Sequence, residues 1–304
     1  MEIVKLAPAV KSYIWGGKKL LSWGKQSSND SISECWELSF NADGPSLINS
    51  GNDAGKELRS VATKADLGSN TAPFPFFPVL IKLIDSASNL SIQVHPSDAY
   101  ALQNEGQYGK TEMWYIIEAE PGAGLYVGFK RKTSPEEVRK AIADGTIVDL
   151  LNFHAVKPGE TYFIASGTVH AIGKGVTLIE IQQNSTLTYR LYDYGRLGKD
   201  GKPRELHVEK ALKVLNYEPY NPPKFTLPVL GECSYFVSSL RHSEGSFEVK
   251  ASSRSFVSLT FVGDDQGTFA GIPYQKGDTF FVPASQKGMV EGKATFVQTE
   301  VPAQ

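Results

Sequence analysis

Three side chains in this sequence stand where packing alone gives no reason for them. Glu112 opens the apolar run EMWYII, His95 closes the alternating run LSIQVH, and His170 sits in GTVHAIG. A lone carboxylate beside Met113, Trp114 and Ile116 is costly to bury without a partner. A divalent cation is such a partner. Two imidazoles and one carboxylate make a three-ligand set that leaves a position open for water or substrate. That is the arrangement of catalytic rather than structural zinc, and the same donors also hold Fe(II). Gln93 lies two residues before His95, and in a strand that spacing puts both on one face. Its amide oxygen offers a fourth ligand, and Ser91 continues the polar face. The spacing fits no local zinc finger, so separate strands of one barrel must bring the ligands together.

Other charged residues sit close by in sequence. Lys82 interrupts VLIKLI. An unpaired ammonium there is unfavourable, so it requires an acid, Asp85 or Glu112, or else titrates low enough to act as a base. Glu180, His95 and a metal-bound water are further candidates for a base. Lys110 precedes Glu112 and either faces the mouth of a site or lies in solvent.

The elements that must position these groups read as short strands. Gly (28) and Pro (17) are plentiful, and many short β-branched runs lie between them, which favours a β-rich fold. The net charge of −2, with no long basic run, gives no reason to expect nucleic acid. No signal peptide and no membrane span are read. Cys35 and Cys233 are expected to be free thiols in a cytoplasmic chain. Helical segments are expected near 134–151 and 205–216. Ser134 reads as an N-cap, Pro135 as the first helical residue, and Glu137 as the closing member of a capping box. The proline-rich NYEPYNPPK marks a boundary near 221. One echo is visible: KPGETYFIASG at 157–167 aligns with QKGDTFFVPAS at 275–285. Two copies of a β-unit point to two related barrel halves, and no histidine follows the second.

The pattern Gly159, Ala165, Gly167, His170 resembles the second conserved motif of the cupins, with Ala165 where proline is usual. The segments SIQVHP, GKTEMWYII and VHAIGKGVTLIEIQQNSTLTYRLYDYGR together resemble type I mannose-6-phosphate isomerases in their short bacterial form. The likeness runs over roughly residues 8–215 and includes WGG and SECWELS. Lys174 departs from the general cupin pattern, where Asn is common. The resemblance implies a mainly β fold: a cupin (jelly-roll) barrel with a small helical insertion over 1–220, and a degenerate cupin-like β domain without metal over 221–304. It implies one zinc per chain on His95, Glu112 and His170, with Gln93 in the sphere, and an active-site arginine at Arg190. The alternative for Arg190 is a structural pair with Asp193. Lys82 and Ser91 match substrate-pocket positions, and Lys110 stands beside them. The implied activity interconverts mannose 6-phosphate and fructose 6-phosphate through an enediol(ate). The expected partner is a phosphorylated hexose, with no nucleic acid or membrane, and the chain a monomer or weak homodimer. An iron oxygenase of the cupin class and a sugar-binding cupin module are the alternatives.

Overall fold

The computed structural model describes residues 1–198 and 200–304. Within them the strands form three antiparallel sheets. One runs in the order β10 (Thr161–Ile164), β7 (Glu112–Ala119), β12 (Val176–Gln183), β5 (Val79–Ser86), β3 (Glu34–Leu38), β2 (Ala9–Lys11). The second runs β13 (Tyr189–Tyr192), β6 (Ile92–Val94), β11 (His170–Ile172), β8 (Gly124–Phe129), β9 (Leu151–Ala155). These two sheets face each other and make the cupin barrel. Its apolar interior holds Trp114, Ile116, Leu178, Ile84, Leu125 and Ile172.

The third sheet runs β14 (Val229–Glu232), β15 (Val237–Lys250), β20 (Lys287–Glu300), β16 (Val257–Phe261), β19 (Thr279–Val282), β1 (Val4–Ala7), β4 (Leu47–Ile48). The short β17 (Gly267–Phe269) and β18 (Ile272–Tyr274) attach to β20. This is the second, degenerate barrel half, filled by Phe261, Phe269, Phe280 and Phe296. The boundary expected near 221 does not part the sheets cleanly, because β1 and β4 from the N-terminal end pair into this C-terminal sheet.

The echo has a structural meaning. Its two copies form β10 and β19, each entered through a glycine with positive φ, Gly159 at 92° and Gly277 at 87°. Glycine alone adopts that backbone without strain.

Strands β5, β7 and β12 are buried over most or all of their length. One face lines the barrel. The other, through Leu83, Met113, Tyr115 and Ile181, packs against Phe236, Phe256 and Phe281 of the second half. A strand covered on both faces loses its alternation of apolar and polar residues, so any charge left in it stands out.

Two helical segments cover the outside of the five-stranded sheet. One-turn helix α1 (Lys19–Ser22) lies between β2 and β3, α2 (Leu58–Val61) and α3 (Lys64–Leu67) lie between β4 and β5, and α4 (Asp98–Asn104) follows β6. The helices α5 (Pro135–Ala143) and α6 (Val208–Val214) bury Val138, Ala141, Ala211 and Leu212 against Ile92, Val94 and Leu191. Ser134 caps α5 by accepting from Glu137 N at 3.2 Å. The reciprocal half of the expected capping box is absent, because the Glu137 carboxylate binds Arg131 and Thr133 instead. No helix among the described residues is long and apolar enough to cross a membrane. Cys35 and Cys233 are both free.

Candidate active site

The site lies between the two barrel sheets, and strand register assembles it. On the six-stranded sheet Glu180 pairs with Lys82 on one side and Trp114 on the other, while Gln182 pairs with Glu112. On the five-stranded sheet Gln93 pairs with both His170 and Arg190. Directly opposed residues share a face, so each sheet presents a polar cluster into the barrel. His95 follows β6 by one residue, and its carbonyl accepts from Gly167 N at 2.8 Å.

His95, Glu112 and His170 are buried together, with donor atoms within 4.8 Å of one another. His95 Nδ1 lies 2.7 Å from Leu187 O, and His170 Nδ1 lies 2.8 Å from Thr168 O. A carbonyl only accepts, so each Nδ1 carries the hydrogen and each Nε2 presents a lone pair. Both lone pairs face Glu112: His95 Nε2 is 3.6 Å from Oε2, and His170 Nε2 is 3.4 Å from Oε1. Glu112 Oε1 is buried with no hydrogen-bond partner among the described residues. A buried carboxylate oxygen facing a neutral imidazole lone pair is destabilised unless a cation sits between them.

The electrostatics agree. Burial brings His170 down to about 4 and holds His95 well below its ordinary value, so both rings are neutral, the form that binds metal. Burial, with Glu180 adding to it, pushes Glu112 up to about 7. The donor set fits a divalent metal, with each histidine oriented through its second nitrogen.

Gln93 sits beside this centre. Its Nε2 lies 3.3 Å from His170 Nε2, and its Oε1 accepts from Ser91 Oγ at 3.4 Å. Turning the amide over would put the oxygen toward the histidine. Lys110 is buried at the cradle rather than lying in solvent. Its Nζ binds Glu112 Oε2, 3.2 Å from His95 Nε2 and 3.5 Å from Glu180 Oε1.

A cavity of about 340 Å³ opens beside the centre, lined by Gln93, Lys110, Lys82 and Glu180. Lys82 pairs with neither expected acid. Its Nζ lies 3.1 Å from Glu180 and 3.6 Å from Glu34, and Asp85 instead accepts from Lys19 N. Burial works to lower Lys82, but Glu180 and Glu34 outweigh it and hold the ammonium above its ordinary value. Burial likewise works to raise Glu180, but Lys110 and Lys82 bring it down to about 2. Trp114 Nε1 donates to its other oxygen at 3.0 Å.

Arg190 Nε donates to Ser91 Oγ at 3.2 Å, and its Nη1 donates to Glu205 O at 2.8 Å. Asp193, its expected alternative partner, is taken by Arg196 at 2.5 Å and by Arg204 Nε at 2.7 Å. Arg190 therefore reaches the cavity without a carboxylate partner among the described residues.

The residues singled out in sequence converge here: Lys82, Ser91, Gln93, His95, Lys110, Glu112, His170 and Arg190. Others on the cavity wall were not singled out as site residues. Trp15, Glu34, Trp36 and Thr186 lie in segments that carry the family likeness but were given no role of their own, and Arg204 lies outside those segments. Glu180, named from the sequence as a candidate base, interrupts VTLIEIQQ as Glu112 interrupts its own run and stands on the same wall.

A jelly-roll barrel with a His, Glu and His cradle on facing strands defines a cupin of the metal-site kind. The profile described as "Phosphomannose isomerase type I, catalytic domain" matches residues 3–120. A mannose-6-phosphate isomerase of Bacillus subtilis is 35% identical over 290 residues, covering 91% of each chain. The mannose-6-phosphate isomerase of Streptococcus mutans is 40% identical over 230 residues, covering 74% of this chain and 72% of its own. The crystal structure of the mannose 6-phosphate isomerase from Bacillus subtilis superposes with a TM-score of 0.86 at 32% identity, covering 98% of this chain and 99% of that one. The chain belongs to the type I mannose-6-phosphate isomerase family, and it is an enzyme.

Proposed function

We propose that this enzyme interconverts mannose 6-phosphate and fructose 6-phosphate, using one zinc ion held by His95, Glu112 and His170 with Gln93 as an oxygen ligand. The observation that carries the reading is the convergence of two oriented Nε2 lone pairs on Glu112, whose buried Oε1 has no hydrogen-bond partner among the described residues. The chemistry a bound zinc supplies is Lewis-acid polarisation of neighbouring sugar oxygens.

The chain's own residues do the rest. Isomerisation moves a proton between C2 and C1 and develops negative charge on the oxygens between them. Arg190, with no carboxylate to neutralise it, offers a planar fork to that charge or to the phosphate, and Arg204 stands on the same wall. The pocket-binding roles fall to Lys82, Ser91 and Lys110. Lys82 is held protonated by Glu180 and Glu34, so it orients substrate and does not remove a proton. His95 has its Nδ1 committed to Leu187 O. Among the side chains considered, that leaves Glu180, ionised and on the cavity wall, to take up and return the proton. The tryptophan and tyrosine rings at Trp15, Trp36 and Tyr13 give the sugar's C–H face a flat apolar wall. The unpaired thiols accord with a cytoplasmic enzyme serving hexose metabolism, and we propose it as a monomer or weak homodimer.

The test combines metal analysis with a coupled assay on mannose 6-phosphate. About one zinc per chain is expected, with activity lost to a chelator and restored by zinc. Full isomerase activity in metal-free protein would overturn the reading. Oxygen uptake in the presence of iron would favour the oxygenase alternative.

A further inference from the structure

The segment 109–112 carries Lys110 and Glu112, yet no regular element contains its first three residues. It is held from outside by a polar chain. Asp98 Oδ1, in the first turn of α4, accepts from Gly109 N at 2.8 Å and from Gln183 Nε2 at 2.8 Å. Gln183, at the end of β12, accepts with its Oε1 from Thr111 N at 2.7 Å. The backbone amides on both sides of Lys110 are thus fixed through one aspartate and one glutamine. Lys110 N itself donates to Pro96 O at 3.0 Å, next to His95.

The chain does not stop inside the catalytic barrel. Asp98 Oδ2 accepts from the Tyr235 hydroxyl at 2.8 Å, and Tyr235 belongs to the second half, between β14 and β15. Its ring is clamped by Tyr108 at 5.2 Å and Phe74 at 4.9 Å. Tyr108 immediately precedes Gly109. Both carboxylate oxygens of Asp98 are therefore used, one toward the segment of Lys110 and Glu112 and one toward the second half.

We infer that Asp98, Gln183 and Tyr235 are positioning residues through which the second barrel half sets the place of Glu112 and Lys110. The inference rests on the zinc reading above and extends it. It gives the second half a part in the site. An aspartate carries the connection because its two oxygens accept three donors at once, which a neutral or shorter side chain there does not. The hydroxyl matters separately from the ring: the ring fills the aromatic cluster, and the hydroxyl fixes the rotation of the Asp98 carboxylate.

The test is chelator competition for zinc, with kcat and KM measured on the zinc-loaded proteins. Tyr235→Phe keeps the ring and removes only the hydroxyl. Its zinc affinity is expected to fall several-fold and that of Asp98→Asn by about 10-fold, as outer partners of metal ligands commonly do. In both, kcat falls more than KM changes. Tyr274→Phe is the control: its hydroxyl donates to Lys293 O at 2.9 Å within the second half and touches none of this chain. It is expected to alter thermal stability alone. Unchanged zinc affinity and kcat in folded Tyr235→Phe would overturn the inference, as would an equal loss of zinc affinity in Tyr274→Phe. If the parent protein holds zinc and isomerises while Tyr235→Phe matches it, this inference fails alone. If the parent holds no zinc, both readings fail.

Discussion

Glu180 is buried against two ammonium groups, Lys82 at 3.1 Å and Lys110 at 3.5 Å. Its pKa lies near 2 in the folded chain, against an ordinary 4.5. A depressed carboxylate adds stability that is fully present above the ordinary value and is lost as pH falls through the folded one. In urea titrations Glu180→Gln is expected to lose about 3 kcal/mol or more at neutral pH, because it leaves Lys82 and Lys110 under-compensated. Its stability should then change less than the parent's between pH 4.5 and about 2. Parallel losses in parent and variant across that window would show that the pairing is not the source. At this scale the sequence was informative where polarity broke an apolar run: Glu112, Lys82 and the Ser91, Gln93, His95 face. Glu34 and Trp36 were not legible as wall residues. Whether that face of β3 looks into the barrel depends on its pairing with β5, which no local pattern reports.

Strands covered on both faces leave few ways to place a polar group, and the turns that feed them are equally tight. A Cβ at Gly109 would sit 2.5 Å from Pro96 O and 2.6 Å from Asp98 N. No side-chain rotation relieves a clash with backbone. Gly109→Ala is expected to cost about 1–3 kcal/mol in a thermal melt and to weaken zinc retention by displacing Lys110 and Glu112. A variant that melts and holds metal like the parent would mean that the 96–98 backbone yields freely. Two helices were legible at this scale, since α5 announced itself through Ser134 and Pro135 and α6 falls within the segment expected near 205–216. The expected capping box failed in its second half because nearby Arg131 competes for the Glu137 carboxylate. A local motif cannot register such a neighbour.

The whole molecule is layered: second half, six-stranded sheet, five-stranded sheet, helices. The shared apolar layer joins Leu83, Met113 and Ile181 of the barrel to Phe236, Phe256 and Phe281 beyond the linker. A chain ending before residue 221 would expose that layer and leave β1 without β19. It is expected to show no cooperative thermal transition and to remain insoluble; a soluble truncation with a sharp melt would contradict this. The echo made two halves legible, but not the exchange of strands between them, because the Val4 to Phe281 pairing spans almost the whole chain. That pairing also sets an order of events during synthesis. At typical ribosomal speeds, β1 waits on the order of tens of seconds for β19 to emerge. Throughout that interval Val4, buried at the end against Phe281, travels on an open strand edge, which makes the nascent chain a natural client for chaperones.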